Sequence, residues 1–235
     1  MEFGFLVLAR EKNLLPQSAE ILELGESETI ALAAEAIYNN PVLVKDDAQR
    51  QQVKQRLAEI PAHYGNWPAK HAARVLYDLL FDCKRYCAVD FAGSSQAHPF
   101  DLNEPFELDG PFDVAINNGT SEHVFNQYQV FRSLHDHTKA GGVMIHWTPA
   151  FGWVNHGIFN LQPDFVYDLA HANNYEVLLS CLLTHGEIRP IDRSTDLYQL
   201  FEREQPFRNA LLAFALRKRD AAPFRTPQQH QSRRG

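Results

Sequence analysis

Residues 111–126 read PFDVAINNGTSEHVFN, and this stretch decides the fold. Val114, Ala115 and Ile116 are short and apolar, as a strand covered on both faces should be, and Asn117, Asn118, Gly119, Thr120, Glu122 and His123 follow at once. A strand that ends in polar and ionisable residues is where open α/β sheets keep their sites. The same residues also read as a polar loop that caps the next helix, with Thr120 or Ser121 as N-cap. The pattern recurs along the chain: Ile21–Leu24 stops at Gly25, Tyr86–Val89 at Asp90, and Gly142–Ile145 at His146 and Trp147. Helical periodicity lies between these runs, so the expected fold is α/β, with a Rossmann-like, mostly parallel sheet and helices on both faces.

A chain of 235 residues suits one domain and needs no disulfide or metal staple. Residues 1–219 are read as that domain, and 220–235, rich in Gln, Arg and Pro, as a loose tail. The apolar run at 4–9 is short and lacks a basic flank, and no run approaches the roughly 18 apolar residues of a membrane span. Cys83, Cys87 and Cys181 form no even framework, so free thiols in a cytoplasmic protein are expected. A net charge of −7 argues against a nucleic-acid partner.

Between Gly25 and the strand ending at Asp90 lies more chain than one crossover helix needs. Residues 27–38, 46–60 and 69–84 read as helices, with Pro61, Gly65 and Pro68 between the last two. Segment 26–68 is therefore an insertion, whose uses include a lid or a homo-oligomer contact. His98–Leu102 is a candidate short strand, 125–137 and 163–173 are helices, and 175–183 and 210–216 are strands. The long connection between these last two shows no crossover helix. They are expected to pair antiparallel at the C-terminal edge, which makes seven strands.

In this order the segments resemble the class I S-adenosylmethionine-dependent methyltransferases. More narrowly, EHVFN at 122–126 and HGIFN at 156–160 are similar to the EHVFN and HGxFN motifs of a bacterial subfamily. The resemblance implies S-adenosylmethionine as cofactor. It implies Glu23 and Gly25 in the first loop, Asp90 for the ribose, Asp101 and Leu102 for the adenine, and Asn118 and Gly119 along the methionine end. In ILELGESET the class's second and third glycines are replaced by Ser27 and Thr29. The loop is then either rebuilt with hydroxyl contacts or binds cofactor weakly.

The resemblance also implies methyl transfer to a small-molecule oxygen or nitrogen acceptor. A hydroxyl acceptor needs a base, which suits histidine. His123 ranks first, because Glu122 precedes it in the signature, and His156 second; His146 also follows a strand. Trp147, Phe151 and Trp153 could wall an acceptor pocket. No metal is expected, and His135 and His137 about Asp136 suit a helix C-terminus better than a metal site. Two rival functions remain: other chemistry on the same cofactor, such as aminocarboxypropyl transfer or cyclisation, and a catalytically degenerate binding scaffold. The missing G-x-G-x-x-G loop argues against a nicotinamide enzyme, and the missing G-x-S-x-G elbow against a serine hydrolase.

Overall fold

The computed structural model describes residues 2–27, 34–60, 72–184, 187–197, 199 and 209–229. Within them the strands are β1 (Ala19–Leu24), β2 (Cys83–Val89), β3 (Phe112–Asn118), β4 (Thr138–Phe151), β5 (Tyr175–Thr184), β6 (Glu187–Pro190) and β7 (Ala210–Lys218). They form one seven-stranded sheet in the order β2-β1-β3-β4-β7-β5-β6. The ladders β2·β1, β1·β3 and β3·β4 are parallel, and β4·β7, β7·β5 and β5·β6 antiparallel. The helices are α1 (Glu2–Glu11), α2 (Ala34–Tyr38), α3 (Asp47–Ala58), α4 (Ala72–Phe81), α5 (Gln127–Asp136) and α6 (Asp164–Ala172).

Period-two alternation divides the strand side chains between two cores. Ile21, Val114, Ile116, Ile145 and Trp147 face one side, with Phe5 and Ala9 of α1, Ile37 of α2, Val53 of α3, and Leu76 and Leu80 of α4. Leu22, Leu24, Ala115, Met144 and Phe214 face the other, with Val130 and Leu134 of α5, and Val166 and Leu169 of α6. Each Val, Leu, Ile, Met or Phe side chain among them contributes about 1.5–3 kcal/mol when fully buried. Helices cover both faces of the sheet, as the sequence pattern calls for.

Several boundaries differ from the sequence reading. The expected strand at 98–102 shrinks to one isolated bridge, Val89 to His98. Pro99 offers no N–H, and Asp101 turns the chain by accepting the Asn103 amide at 2.9 Å, so a ladder cannot extend. The seventh strand is instead β6, which pairs with β5 inside the connection read as having no crossover helix. The C-terminal strands are antiparallel as expected, but β7 lies between β4 and β5, and β6 forms the edge. β4 is much longer than the run at 142–145. Helix α1 was not anticipated, yet Phe5 packs edge-on against Trp147 with centroids 5.8 Å apart.

In the inserted segment, α3 carries the polar surface expected of it, burying only Val53, and Asp46 caps it by accepting the Gln49 amide. The expected helix at 27–38 is described only from Ala34 to Tyr38. The tail is not loose throughout. Asn173 donates to Arg225 O and accepts from Arg225 N, and Phe224 lies against the rings of Tyr128 and His135.

Candidate functional site

Chain order reverses between β1 and β3, and a cavity of about 740 Å³ opens there, beyond the strand ends. Gly25, Asp90, Asp101, Leu102, Asn118, Gly119, Glu122, His123 and His156 all line it. Of the expected cofactor residues Glu23 does not, and of those expected on the acceptor side Phe151 and His146 do not.

Glu23 is fully buried beneath the first loop and accepts hydroxyl hydrogen bonds from Ser27, Tyr77 and Tyr86. Burial raises its pKa, and these hydrogen bonds oppose the rise. Ser27 Oγ donates to Glu23 at 2.6 Å and accepts from Asn118 Nδ2 at 2.9 Å. The residue that replaces the class's second glycine thus ties the end of β1 to the end of β3. Thr29 lies outside the described residues. Gly25 has φ +75°, and a Cβ there would overlap the Thr120 hydroxyl, so both backbone and space require glycine.

Asp90 Oδ2 accepts the Glu26 amide at 3.0 Å, and Oδ1 the Ala92 amide at 2.9 Å. These contacts orient the carboxylate. Glu26, also in the cavity wall, accepts from Ser94 N at 2.7 Å and Ser94 Oγ at 2.9 Å. A carboxylate in the rebuilt loop thereby holds the loop after β2, which single-residue sequence reading did not find. Asp101 Oδ1 accepts the Asn103 amide and side chain, and these bonds lower its pKa. Asp101 therefore forms an Asx turn and also lines the cavity. Asn103 in turn accepts the Asn126 amide at 3.0 Å and takes Asn126 Nδ2 on its carbonyl at 2.9 Å.

The two resemblance motifs meet. Residues 121–123 form a 3-10 turn with no side-chain cap from Thr120; α5 starts later, capped by Asn126, the last residue of EHVFN. The Glu122 carbonyl accepts the Ile158 amide at 2.7 Å and the Phe159 amide at 3.2 Å, both from HGIFN. A Cβ on Gly157 would stand 2.9 Å from that carbonyl, so only glycine allows the two segments to approach this closely. Asn160 Nδ2 donates to Gly152 O at 3.0 Å and closes the second loop on itself. Both motif asparagines thus bond to the backbone.

Glu122 is 1% exposed, and its Oε1 lies 3.6 Å from Nε2 of the 40% exposed His156. A Cβ on Gly119 would also lie 3.6 Å from that oxygen. The His123 and His156 rings are 5.0 Å apart, and burial, then His156, lowers the His123 pKa. One ligand atom from each of Glu122, His123 and His156 lies within 4.8 Å of the others. Trp147 and Trp153 also line the cavity, and the Trp153 ring is 5.0 Å from His156.

Three other histidines, His146, His135 and His137, are structural. His146 is 1% exposed, lies within β4 rather than after a strand, and stacks on Phe214 at 4.4 Å. Burial lowers its pKa to about 3. His135 is bonded at both nitrogens: Nε2–H donates to Ala222 O at 2.8 Å, and Nδ1 accepts from the Tyr175 hydroxyl at 2.5 Å. His137 Nδ1–H donates to Ser133 O at 2.8 Å.

No family model matches the chain, and no curated protein matches it. Solved structures with a related chain path include the [4+2]-cyclase SpnF, at 13% identity and TM-score 0.47 over 95% of this chain and 81% of its own. The N-methyltransferase NodS of Bradyrhizobium japonicum WM9 is 10% identical, at TM-score 0.45 over 93% of this chain and 94% of its own. The O-methyltransferase segment 961–1257 of StiE is 11% identical, at TM-score 0.43 over 92% and 72%. Likenesses this low do not bear on the activity of this chain. Among the described residues, no helix is long and apolar enough to cross a membrane.

Proposed function

We propose that this chain is an S-adenosylmethionine-dependent methyltransferase acting on an oxygen or nitrogen atom of a small molecule. The observation that carries this reading is the place of the Glu122 carboxylate. It lies beside Gly119, at the end of the wall assigned to cofactor, and beside His156, in a group able to take up a proton. A cavity of about 740 Å³ has room for a nucleoside-sized ligand and a small acceptor together.

S-adenosylmethionine would supply an electrophilic methyl group and its sulfonium leaving group. The protein's part is to bind, align and accept a proton. Asp90, oriented by two backbone amides in the cavity wall, is the carboxylate assigned to the vicinal ribose hydroxyls. Asp101 and Leu102 border the adenine position, Gly25 and Asn118 the methionine arm, and Gly119 allows close approach at φ +64°. Glu23 acts from beneath, by holding Ser27. His123 is the first candidate to take the acceptor proton and His156 the second, with Glu122 orienting His156.

Calorimetric titration with S-adenosylmethionine tests the reading. Micromolar binding is expected, and Asp90→Ala should weaken it by about 1.5–3 kcal/mol, the worth of hydrogen bonds to a charged group. His123→Ala should leave binding intact and slow turnover by about a hundredfold. Absence of binding would favour a degenerate scaffold, a reading supported by the internal bonds of Ser27 and Glu26. Methylthioadenosine as the product would indicate the non-methyl chemistry.

A further inference from the structure

We infer that Glu122, His123 and His156 form a binding site for one divalent transition-metal ion at the acceptor end of the cavity. Two imidazoles and a carboxylate are a donor set for zinc, iron(II), cobalt(II) or nickel(II), rather than for magnesium or calcium. Metal–ligand bonds of about 2.0–2.2 Å place neighbouring tetrahedral ligands about 3.3–3.6 Å apart. The Glu122 Oε1 to His156 Nε2 separation of 3.6 Å matches such an edge and is long for a direct hydrogen bond. Drawing in His123 asks only for rotation of an exposed side chain, because all three donor atoms already lie within 4.8 Å.

The frame behind the donors is fixed. Ile158 N and Phe159 N grip the Glu122 carbonyl, so His156 and Glu122 come from segments already joined. Rigid backing of this kind favours a metal site over a chance meeting of side chains. A second observation points to a ligand in the same cavity: Trp147 is 2% exposed, and its indole N–H has no acceptor among the described residues. The Trp153 N–H is likewise without one among the described residues. Both are donors suited to an oxygen of a bound acceptor.

Three protein ligands leave at least one coordination position open toward the cavity, the arrangement of catalytic rather than structural sites. The role we assign to the ion rests on the methyltransferase reading, and it changes only how the proton leaves. An acceptor hydroxyl bound to the ion loses its proton to water. Its oxygen then bonds to the methyl carbon as the sulfur–methyl bond breaks and its electron pair passes to sulfur, releasing S-adenosylhomocysteine.

The test is titration of untagged, chelator-treated protein with cobalt(II), read by visible absorption, which requires no turnover. One equivalent should bind at micromolar concentration, with the intense bands of a four- or five-coordinate ion. His156→Ala and, separately, His123→Ala should each weaken binding at least about tenfold. His171→Ala, on α6, should not. Both site histidines are exposed, and melting curves would confirm that the variants fold. Equal affinity in wild type and either site variant, or only the weak bands of hydrated cobalt, would overturn the metal site. S-adenosylmethionine titrated into the same samples separates the two proposals. Cobalt binding without cofactor binding would sink the methyltransferase reading and leave the metal site standing, and the reverse result would do the opposite.

Discussion

His146 offers a measurable link between packing and pH. The ring lies between Phe214 and Phe131, 1% exposed, and its pKa is about 3 against 6.5 for an ordinary imidazole. Below pH 6.5 the unfolded chain takes up a proton on this ring that the native state refuses. The stability due to a neutral His146 is therefore present above 6.5 and lost as pH falls toward 3. At about 1.36 kcal/mol per pH unit, the loss between pH 7.5 and 4.5 is about 2.7 kcal/mol. His146→Phe keeps a ring in the stack and removes the titration. Urea unfolding of both proteins at about pH 7.5, 6.5, 5.5 and 4.5 should show the variant gaining on wild type by that amount, while other titrating groups cancel in the difference. A gap constant to within about 0.5 kcal/mol would mean that the native ring accepts a proton, and the burial argument would be wrong.

Gly157→Ala would push a methyl group to 2.9 Å from the Glu122 carbonyl and part the two motif loops. Turnover should fall by about a hundredfold with S-adenosylmethionine affinity retained, and an unchanged rate would show that the junction does not position the reacting groups. Ser27→Ala removes a donor from buried Glu23 and an acceptor from Asn118, so unfolding free energy should drop by about 1.5–3 kcal/mol in denaturant titration. Truncation after Arg219 removes the Phe224 contact and the Asn173–Arg225 bonds. It should cost about 1–3 kcal/mol, and a melting curve that does not move would restore the loose-tail reading for 220–229.

The sheet was largely legible in the sequence because apolar runs that stop at Gly25, Asp90 and Asn117 record strands buried on both faces. β6 was not, because Glu187–Pro190 is short and half exposed, and only its pairing with β5 makes it a strand. Helix α1 looked like an isolated apolar run, since the partner that holds it, Trp147, is distant in sequence. The candidate residues were legible as strand-end positions, and all but Glu23, His146 and Phe151 line the cavity. What they do to one another was not legible. No pattern says that Ser27 bridges Glu23 and Asn118, or that a glycine at 157 serves a carbonyl at 122. Adjacent Glu122 and His123 differ in burial, one inside and one exposed, and both lie against His156.

The position of β7 bears on how the chain is made. This last strand is an interior one, flanked by β4 and β5. Until residues 210–218 leave the ribosome, two apolar strand edges have no neighbour, and the half-sheet around β1–β4 cannot join the half around β5. At about 5–20 residues per second, the interval from β5 to β7 lasts a few seconds, long enough for an open edge to recruit another nascent chain. Assembly of the sheet is therefore gated by translation of its final strand. A premature stop anywhere in the β5–β7 connection would yield an aggregation-prone product rather than a slightly shortened protein.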